Sequence, residues 1–210
     1  MESFDLPEAQ EIGASFASQN KGWGSGYKFT KMLADNTFVE NEYGKIYELE
    51  KTPGYTRLKI GADTNQIDLI LSLCKNLNPP YFILYVLVIA RQGHEKGRYQ
   101  SKQIDNIEEV NLFLNDFKEF FETDGRHHIW VGTVDNSGLL IYDQHNVIFS
   151  YGKVLEQIMV LKNEGFHEMQ FDFPVPHAHR YNSDNDKFED QILKYWDWEK
   201  FSLNEDDIYE

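Results

Sequence analysis

The chain has 210 residues, of which 35 are acidic and 20 basic, so its formal net charge is −15. This charge argues against a surface that binds nucleic acid or anionic lipid, because both need exposed Lys and Arg. A single cysteine excludes an internal disulfide and favours a reducing compartment, and the first ten residues lack the apolar run of a signal peptide. We therefore expect a cytoplasmic protein that neither enters a membrane nor binds nucleic acid.

The first half of the chain alternates turn signals with apolar runs. Residues 45–50 and 55–60 flank Pro53-Gly54, which predicts a β-hairpin. Apolar residues at three- and four-residue spacing predict a helix over 63–77, capped by Asp63. The continuous apolar run 81–90 predicts a central strand buried on both faces, since it is too short to cross a membrane.

A second helix follows a short predicted strand at 97–103. Its apolar stripe covers residues 107–121, and Asp105 with Glu108 has the spacing of a capping box at its start. Gly125 lies just after the stripe and predicts the end of the helix.

Three strands are predicted next, over 127–134, 138–142 and 147–151. Their links are too short for a parallel crossover, so these strands must be antiparallel neighbours. Helical periodicity then returns at 154–161 and at 188–196.

Grouped strands separated by helices predict an α+β fold with a mainly antiparallel sheet packed with three to four helices. No repeat or linker divides the sequence, so we expect a single domain over residues 1–210. Residues 1–26 and 202–210 carry weak periodic signals and are expected to be flexible ends.

The histidines offer the clearest chemical potential. In an extended segment set by Pro174 and Pro176, His177 and His179 project to the same side. Two such imidazoles could bind zinc or a related metal, with the further ligands drawn from Asp143, His145 and Asp172. The alternative is a pair of surface or hydrogen-bonding histidines, because no metalloprotease spacing is present.

Other candidate residues have structural interpretations. Asp143 and His145 share a short turn and could form an orienter–base pair, although turn chemistry also explains the aspartate. His127 and His128 are adjacent in a strand and must face opposite sides of the sheet, one packing and the other facing solvent. Cys74 lies on the apolar face of the first helix, which predicts a core position.

Five strings look familiar together: Gly97–Ser101, Asp124–Trp130, Tyr142–Asn146, Tyr151-Gly152 and Pro174–Tyr181. They resemble a group of uncharacterised bacterial proteins of about this length, and the likeness covers most of residues 80–198. The resemblance implies a bacterial cytoplasmic protein of one domain and keeps an immunity-protein-like role in view, with no established activity to carry over.

The leading hypothesis is a non-enzymatic binding protein without a cofactor, an acidic immunity-type inhibitor of a basic partner such as a toxin. The last forty residues hold 11 acidic and 4 basic side chains, and such a face steers a basic partner. The candidate contacts are Trp196, Asp197, Trp198, Glu199, Asp206 and Asp207.

Two alternatives remain open. The first is a metal-binding protein or metal-dependent hydrolase that uses His177 and His179 with His145 or Asp143. The second is a small-ligand-binding module built over the antiparallel sheet.

Overall fold

The computed structural model describes residues 28–208, which form twelve strands and five α-helices of an α+β fold. The strands are β1 Phe29–Met32, β2 Phe38–Glu40, β3 Ile46–Lys51, β4 Thr56–Gly61, β5 Tyr81–Leu87, β6 Gly97–Gln100, β7 His127–Thr133, β8 Leu139–Tyr142, β9 Val147–Tyr151, β10 His167–Glu168, β11 His177–His179 and β12 Glu199–Phe201. The helices are α1 Gln66–Cys74, α2 Ile107–Asp116, α3 Lys118–Thr123, α4 Val154–Asn163 and α5 Asp186–Tyr195. The flexible end predicted at 1–26 lies outside the described residues.

Nine strands form one sheet in the order β10-β3-β4-β9-β8-β7-β5-β6-β12. All neighbours are antiparallel except β10 and β3, so the predicted antiparallel sheet is confirmed. The hairpin β3–β4 and the meander β7–β8–β9 arise where short turn sequences separate strand-like runs. The predicted central strand is β5, which pairs with β6 and β7.

The sheet is covered unequally on its two faces. One face carries Tyr85, Ile129 and Tyr142, which are buried in the main core beneath the helices. The opposite face carries a smaller apolar cluster that includes Leu84 and Val86. Both faces of β5 are therefore apolar, which explains its continuous run of apolar residues.

A separate three-stranded antiparallel sheet has the order β11-β1-β2. It packs against one end of the large sheet, where Phe29 of β1 joins a cluster with Tyr43, Ile46 and Val147. This contact places β11 beside the turn between β8 and β9.

The predicted starts of the first two helices are wrong in detail. The carboxylate of Asp63 accepts the N–H of Gly44 at 2.8 Å instead of capping α1, which is preceded by Asn65 in the left-handed region. At α2 the cap is Asn106, whose side chain accepts the N–H of Glu109, so the capping pair lies one residue beyond the predicted one.

The predicted helix over 107–121 is two helices, α2 and α3, joined at Phe117. Phe113 and Phe121 still lie in the core together, because the break preserves the apolar stripe. Among residues 28–208, no helix is both long and apolar enough to cross a membrane.

Candidate metal centre

The turn between β8 and β9 is organised by one carboxylate. Asp143 Oδ1 accepts the backbone N–H groups of His145 and Val147, each at 2.9 Å. Asn146 has φ 62°, a left-handed conformation that asparagine tolerates. Local side-chain chemistry therefore shapes the turn as the sequence predicted, and it leaves His145 buried.

The second part of the site comes from β11. His177 and His179 alternate with Ala178, so both rings lie on one face of the strand, as predicted. Strand β1 holds this segment, with Phe29 opposite His179 and Lys31 opposite His177.

The three histidines meet where the two sheets pack together. One ring nitrogen from each of His145, His177 and His179 lies within 4.8 Å of the others. The ring centroids of His145 and His179 are 4.7 Å apart, and His177 is 5.3 Å from His145 and 5.4 Å from His179. The structure thus brings together three of the residues that were proposed from the sequence as metal ligands: the pair His177 and His179, and His145 as a further ligand.

Each Nδ1 atom faces an oxygen that can only accept a hydrogen bond. His145 Nδ1 is 2.8 Å from Asp143 Oδ2, His177 Nδ1 is 3.1 Å from the carbonyl oxygen of Pro174, and His179 Nδ1 is 3.3 Å from that of Gln144. An ionised carboxylate and a carbonyl have no proton to give, so the hydrogen-bonded tautomer carries its proton on Nδ1. In that tautomer the Nε2 atom carries the lone pair that can bind a metal ion.

Two of these Nε2 atoms have no hydrogen-bond partner among the described residues. They belong to His145 and His179, and both atoms are buried. Burial, with smaller effects of the neighbouring His145 and His177, lowers the pKa of His179 to about 3. The His179 ring is therefore neutral at physiological pH, the form that binds a metal ion.

Asp143 supports the cluster without being a member of it. Burial alone would raise the pKa of this carboxyl, but the His145 ring and surrounding hydrogen bonds outweigh it and hold the pKa at about 2. Because Oδ1 is used by the turn and Oδ2 by His145 Nδ1, the carboxylate orients the ring. Asp143 was a candidate ligand in the sequence, and in the structure it occupies the supporting position typical of metal-bound histidine.

Aromatic rings enclose the three imidazoles. The Phe29 ring centroid lies 5.2 Å from those of His145 and His177, and Phe173 lies 4.8 Å from His145. Behind the turn, Tyr43 donates its hydroxyl to the carbonyl oxygen of His145 at 3.0 Å. Burial, with a smaller effect of Asp143, raises the pKa of Tyr43, so this hydroxyl keeps its proton.

The separation of the nitrogens is compatible with one metal ion after a small adjustment. Three nitrogens at a Zn–N distance of about 2.0–2.1 Å in tetrahedral geometry lie roughly 3.3 Å apart. The present limit of 4.8 Å exceeds this value by at most about 1.5 Å, which small side-chain rotations can close.

The other predicted ligand and histidine positions lie elsewhere. Asp172 is exposed and is not part of the cluster. His127 is buried against Phe120, and its neighbour His128 is half-buried on the opposite face of the sheet. The opposite-face prediction is confirmed, whereas the expectation that one ring faces solvent is only partly met. Cys74 is buried in the core as predicted, and burial raises the pKa of its thiol to about 12.

The predicted partner-binding residues follow the last helix but differ in exposure. The ring of Trp196 stacks on Phe113 at 4.5 Å, and Trp198 donates its indole N–H to the carbonyl oxygen of Ile192 at 2.8 Å. Asp197, Glu199 and Asp206 are exposed, whereas Asp207 is buried and accepts the N–H of Asn204 at 2.7 Å.

Several contributors to the site had no usable signal in the sequence. The carbonyl oxygens of Gln144 and Pro174 act through the backbone, so residue type does not reveal them. Phe29 and Lys31 lie in a four-residue strand that pairs with residues far along the chain, and its short pattern did not predict a strand.

No family model, curated protein or solved structure matches this chain. Any function of the histidine cluster is therefore inferred from its geometry alone.

Proposed function

We propose that His145, His177 and His179 bind one divalent metal ion through their Nε2 atoms, and that the protein is a metal-dependent hydrolase. Two observations carry the proposal: one ring nitrogen from each of the three histidines converges, and each Nδ1 atom faces an acceptor. An acceptor behind a metal-bound histidine fixes its tautomer and raises its basicity.

The ligand type favours zinc over the hard cations. Calcium and magnesium prefer carboxylate, carbonyl and water oxygens, whereas neutral imidazole suits zinc and its neighbours in the first transition row. The cluster contains three imidazoles and no carboxylate. We therefore expect Zn²⁺ as the physiological ion and Co²⁺ as a spectroscopic substitute.

The number of ligands favours catalysis over a structural role. Structural zinc sites are closed by four protein ligands, whereas catalytic sites have three and bind water at the fourth position. Among residues 28–208 only three side chains belong to the cluster. A water molecule bound there would have its pKa lowered to about 7 and would attack an electrophilic carbon or phosphorus centre as hydroxide.

A metal-free aromatic cluster is the competing interpretation. It would leave two buried ring nitrogens without hydrogen-bond partners in the described part of the chain, at a cost of about 1–3 kcal/mol each. Metal coordination removes that cost because each lone pair gains a ligand bond, so the orphaned nitrogens support the metal site.

The test is metal content and affinity after purification without chelators. We expect about one zinc per chain by elemental analysis, or uptake of one equivalent by the metal-free protein. Because the ion binds the folded state, metal at a hundredfold excess over Kd should raise the unfolding free energy by about 2.7 kcal/mol.

The variant His177→Ala removes one half-buried ligand, and His167→Ala is the matched control at an exposed histidine outside the cluster. We expect the first variant to lose at least about a hundredfold in affinity for zinc and the control to bind normally. Absence of metal both as purified and after titration, or equal affinity of the two variants, would contradict the proposal.

The inhibitor of a basic partner remains a prediction from the acidic C-terminal region. Its exposed candidates are Asp197, Glu199 and Asp206, and no contact within residues 28–208 favours it over the metal centre.

A further inference from the structure

The three-stranded sheet presents a lysine on the same face as the metal ligands. In antiparallel strands, directly opposite residues project to the same face. Lys31 of β1 is opposite His177 of β11, and Phe29 is opposite His179. The Phe29 ring lies 5.2 Å from His177 and from His145, which identifies this face as the one that bears the cluster. Lys31, two residues further along β1, lies on the same face beside His177.

Within the described part of the chain, no acidic side chain forms an ion pair with Lys31. This half-buried side chain has no ion pair and no hydrogen bond to residues 28–208. Glu40, the acidic residue of the same three-stranded sheet, is opposite Thr30, so its side chain lies on the other face. The long aliphatic stem of lysine can pack on the sheet while the ammonium group reaches the rim of the site.

The proposed metal centre also has an excess of positive charge. Its three ligands are imidazoles, which bind a metal ion in their uncharged form, and the one carboxylate beside them, Asp143, is engaged by His145 and by two backbone N–H groups. A divalent ion held in this way keeps most of its charge, and Lys31, opposite His177 in the strand register, supplies another positive charge on the same face. This local field is opposite in sign to the net charge of the protein, −15.

From this juxtaposition we propose that the centre takes a small substrate bearing an oxyanion group, and that Lys31 binds this group while the metal ion holds or activates the reacting atom. This inference rests on the proposed metal centre. Lysine acts here as a point charge without fixed geometry, so it recognises carboxylate and phosphate groups alike. Lys31 is therefore a specificity-determining residue for anionic substrates.

The experiment uses the full chain loaded with Co²⁺, whose visible absorption changes when a ligand enters the fourth position. Acetate serves as the anionic probe, and acetamide as a neutral probe of similar shape. Lys31→Met removes the charge and keeps a long apolar side chain. Lys51→Met is the matched control, since Lys51 is an exposed strand lysine at the far end of β3.

We expect Lys31→Met to bind Co²⁺ with unchanged affinity and to bind acetate about threefold to tenfold more weakly, in line with one partly screened charge pair. Lys51→Met should match the wild type, and acetamide should not distinguish the variants. If the wild type binds Co²⁺ but not acetate, or if both lysine variants bind acetate equally well, the inference is overturned and the metal centre stands. If the wild type does not bind Co²⁺, the proposed function fails first and the inference falls with it.

Discussion

Replacing Asp143 with asparagine is the sharpest test of how the site is held. The carboxylate has two separate tasks, since Oδ1 accepts two backbone N–H groups and Oδ2 faces His145 Nδ1 at 2.8 Å. In Asp143→Asn the amide oxygen can continue the first task. The amide nitrogen then faces His145 Nδ1 and donates to it, which forces the ring proton onto Nε2.

The expected result is a loss of metal affinity with little loss of fold. A protonated Nε2 cannot bind a metal ion, so coordination by His145 must disrupt either the new hydrogen bond or the turn. Changes behind a metal-bound histidine typically reduce affinity about 10- to 100-fold, which corresponds to about 1.4–2.7 kcal/mol. The unfolding free energy of the metal-free variant should stay within about 1 kcal/mol of the wild type, because both turn hydrogen bonds persist.

The assay is competition for zinc against a chromophoric chelator, together with urea unfolding of the metal-free proteins. The matched control is Asp135→Asn, because Asp135 also accepts a backbone N–H two residues on, from Ser137 at 2.9 Å, and has no histidine behind it. Zinc affinity within twofold of the wild type in Asp143→Asn, or an equal loss in Asp135→Asn, would refute the orienting role of Asp143.

Two further predictions concern stability. Burial, reinforced by Lys28 and Arg126, lowers the pKa of His127 well below its ordinary value, so the unfolded chain gains a proton that the folded chain does not. The free energy of unfolding should therefore be highest above about pH 6.5 and should fall at lower pH. Between pH 6 and pH 5, urea unfolding should show that His127→Phe loses about 1 kcal/mol less of this free energy than the wild type does. Equal losses in the two proteins would contradict this prediction. Gly152 has φ +73°, and an added Cβ would lie 2.2 Å from the carbonyl oxygen of Ser137, whereas Gly165 has φ +85° with nothing within 4 Å. Gly165→Ala should cost about 1–2 kcal/mol from backbone strain and Gly152→Ala clearly more; equal costs in urea unfolding would show that the clash is relieved.

The larger sheet was predictable from sequence because its information is local. Turn residues and short spacings identify the hairpin β3–β4 and the meander β7–β8–β9 as antiparallel neighbours, and the apolar run identifies β5. The parallel pair β3–β10 was not predictable, because β10 has only two residues and its partner lies more than a hundred positions earlier in the chain.

The helix starts show where local reasoning fails. Asp63 has the residue type and position of a cap, but its carboxylate is bound to the N–H of Gly44, nineteen residues away. The Asp63 carboxylate, which the local pattern assigned to the helix cap, thus forms a tertiary hydrogen bond instead. At α2 the predicted capping box was Asp105 with Glu108, but Asn106 and Glu109 have the same spacing one residue later. The second pair forms the cap in the structure.

The candidate site was predictable in parts and not as a whole. The pairing of His177 with His179 follows from extended backbone, and the contact of Asp143 with His145 follows from turn chemistry. Their meeting depends on β1, which joins β11 to the large sheet through Phe29. Strand β1 has four residues and pairs with residues nearly 150 positions later in the chain. Local periodicity in the sequence therefore cannot predict this pairing.

The three histidines come from two different sheets, and this has a mechanical consequence. His145 belongs to a turn of the nine-stranded sheet, while His177 and His179 belong to the three-stranded sheet. A bound ion would be a cross-link between the sheets, closing a chain loop of more than thirty residues that contains α4 and β10. Closing such a loop lowers the chain entropy of a state in which the two sheets are separated. A bound ion would therefore reduce the population of that open state. Loss of the ion would first loosen the seam between the sheets and leave the large sheet intact.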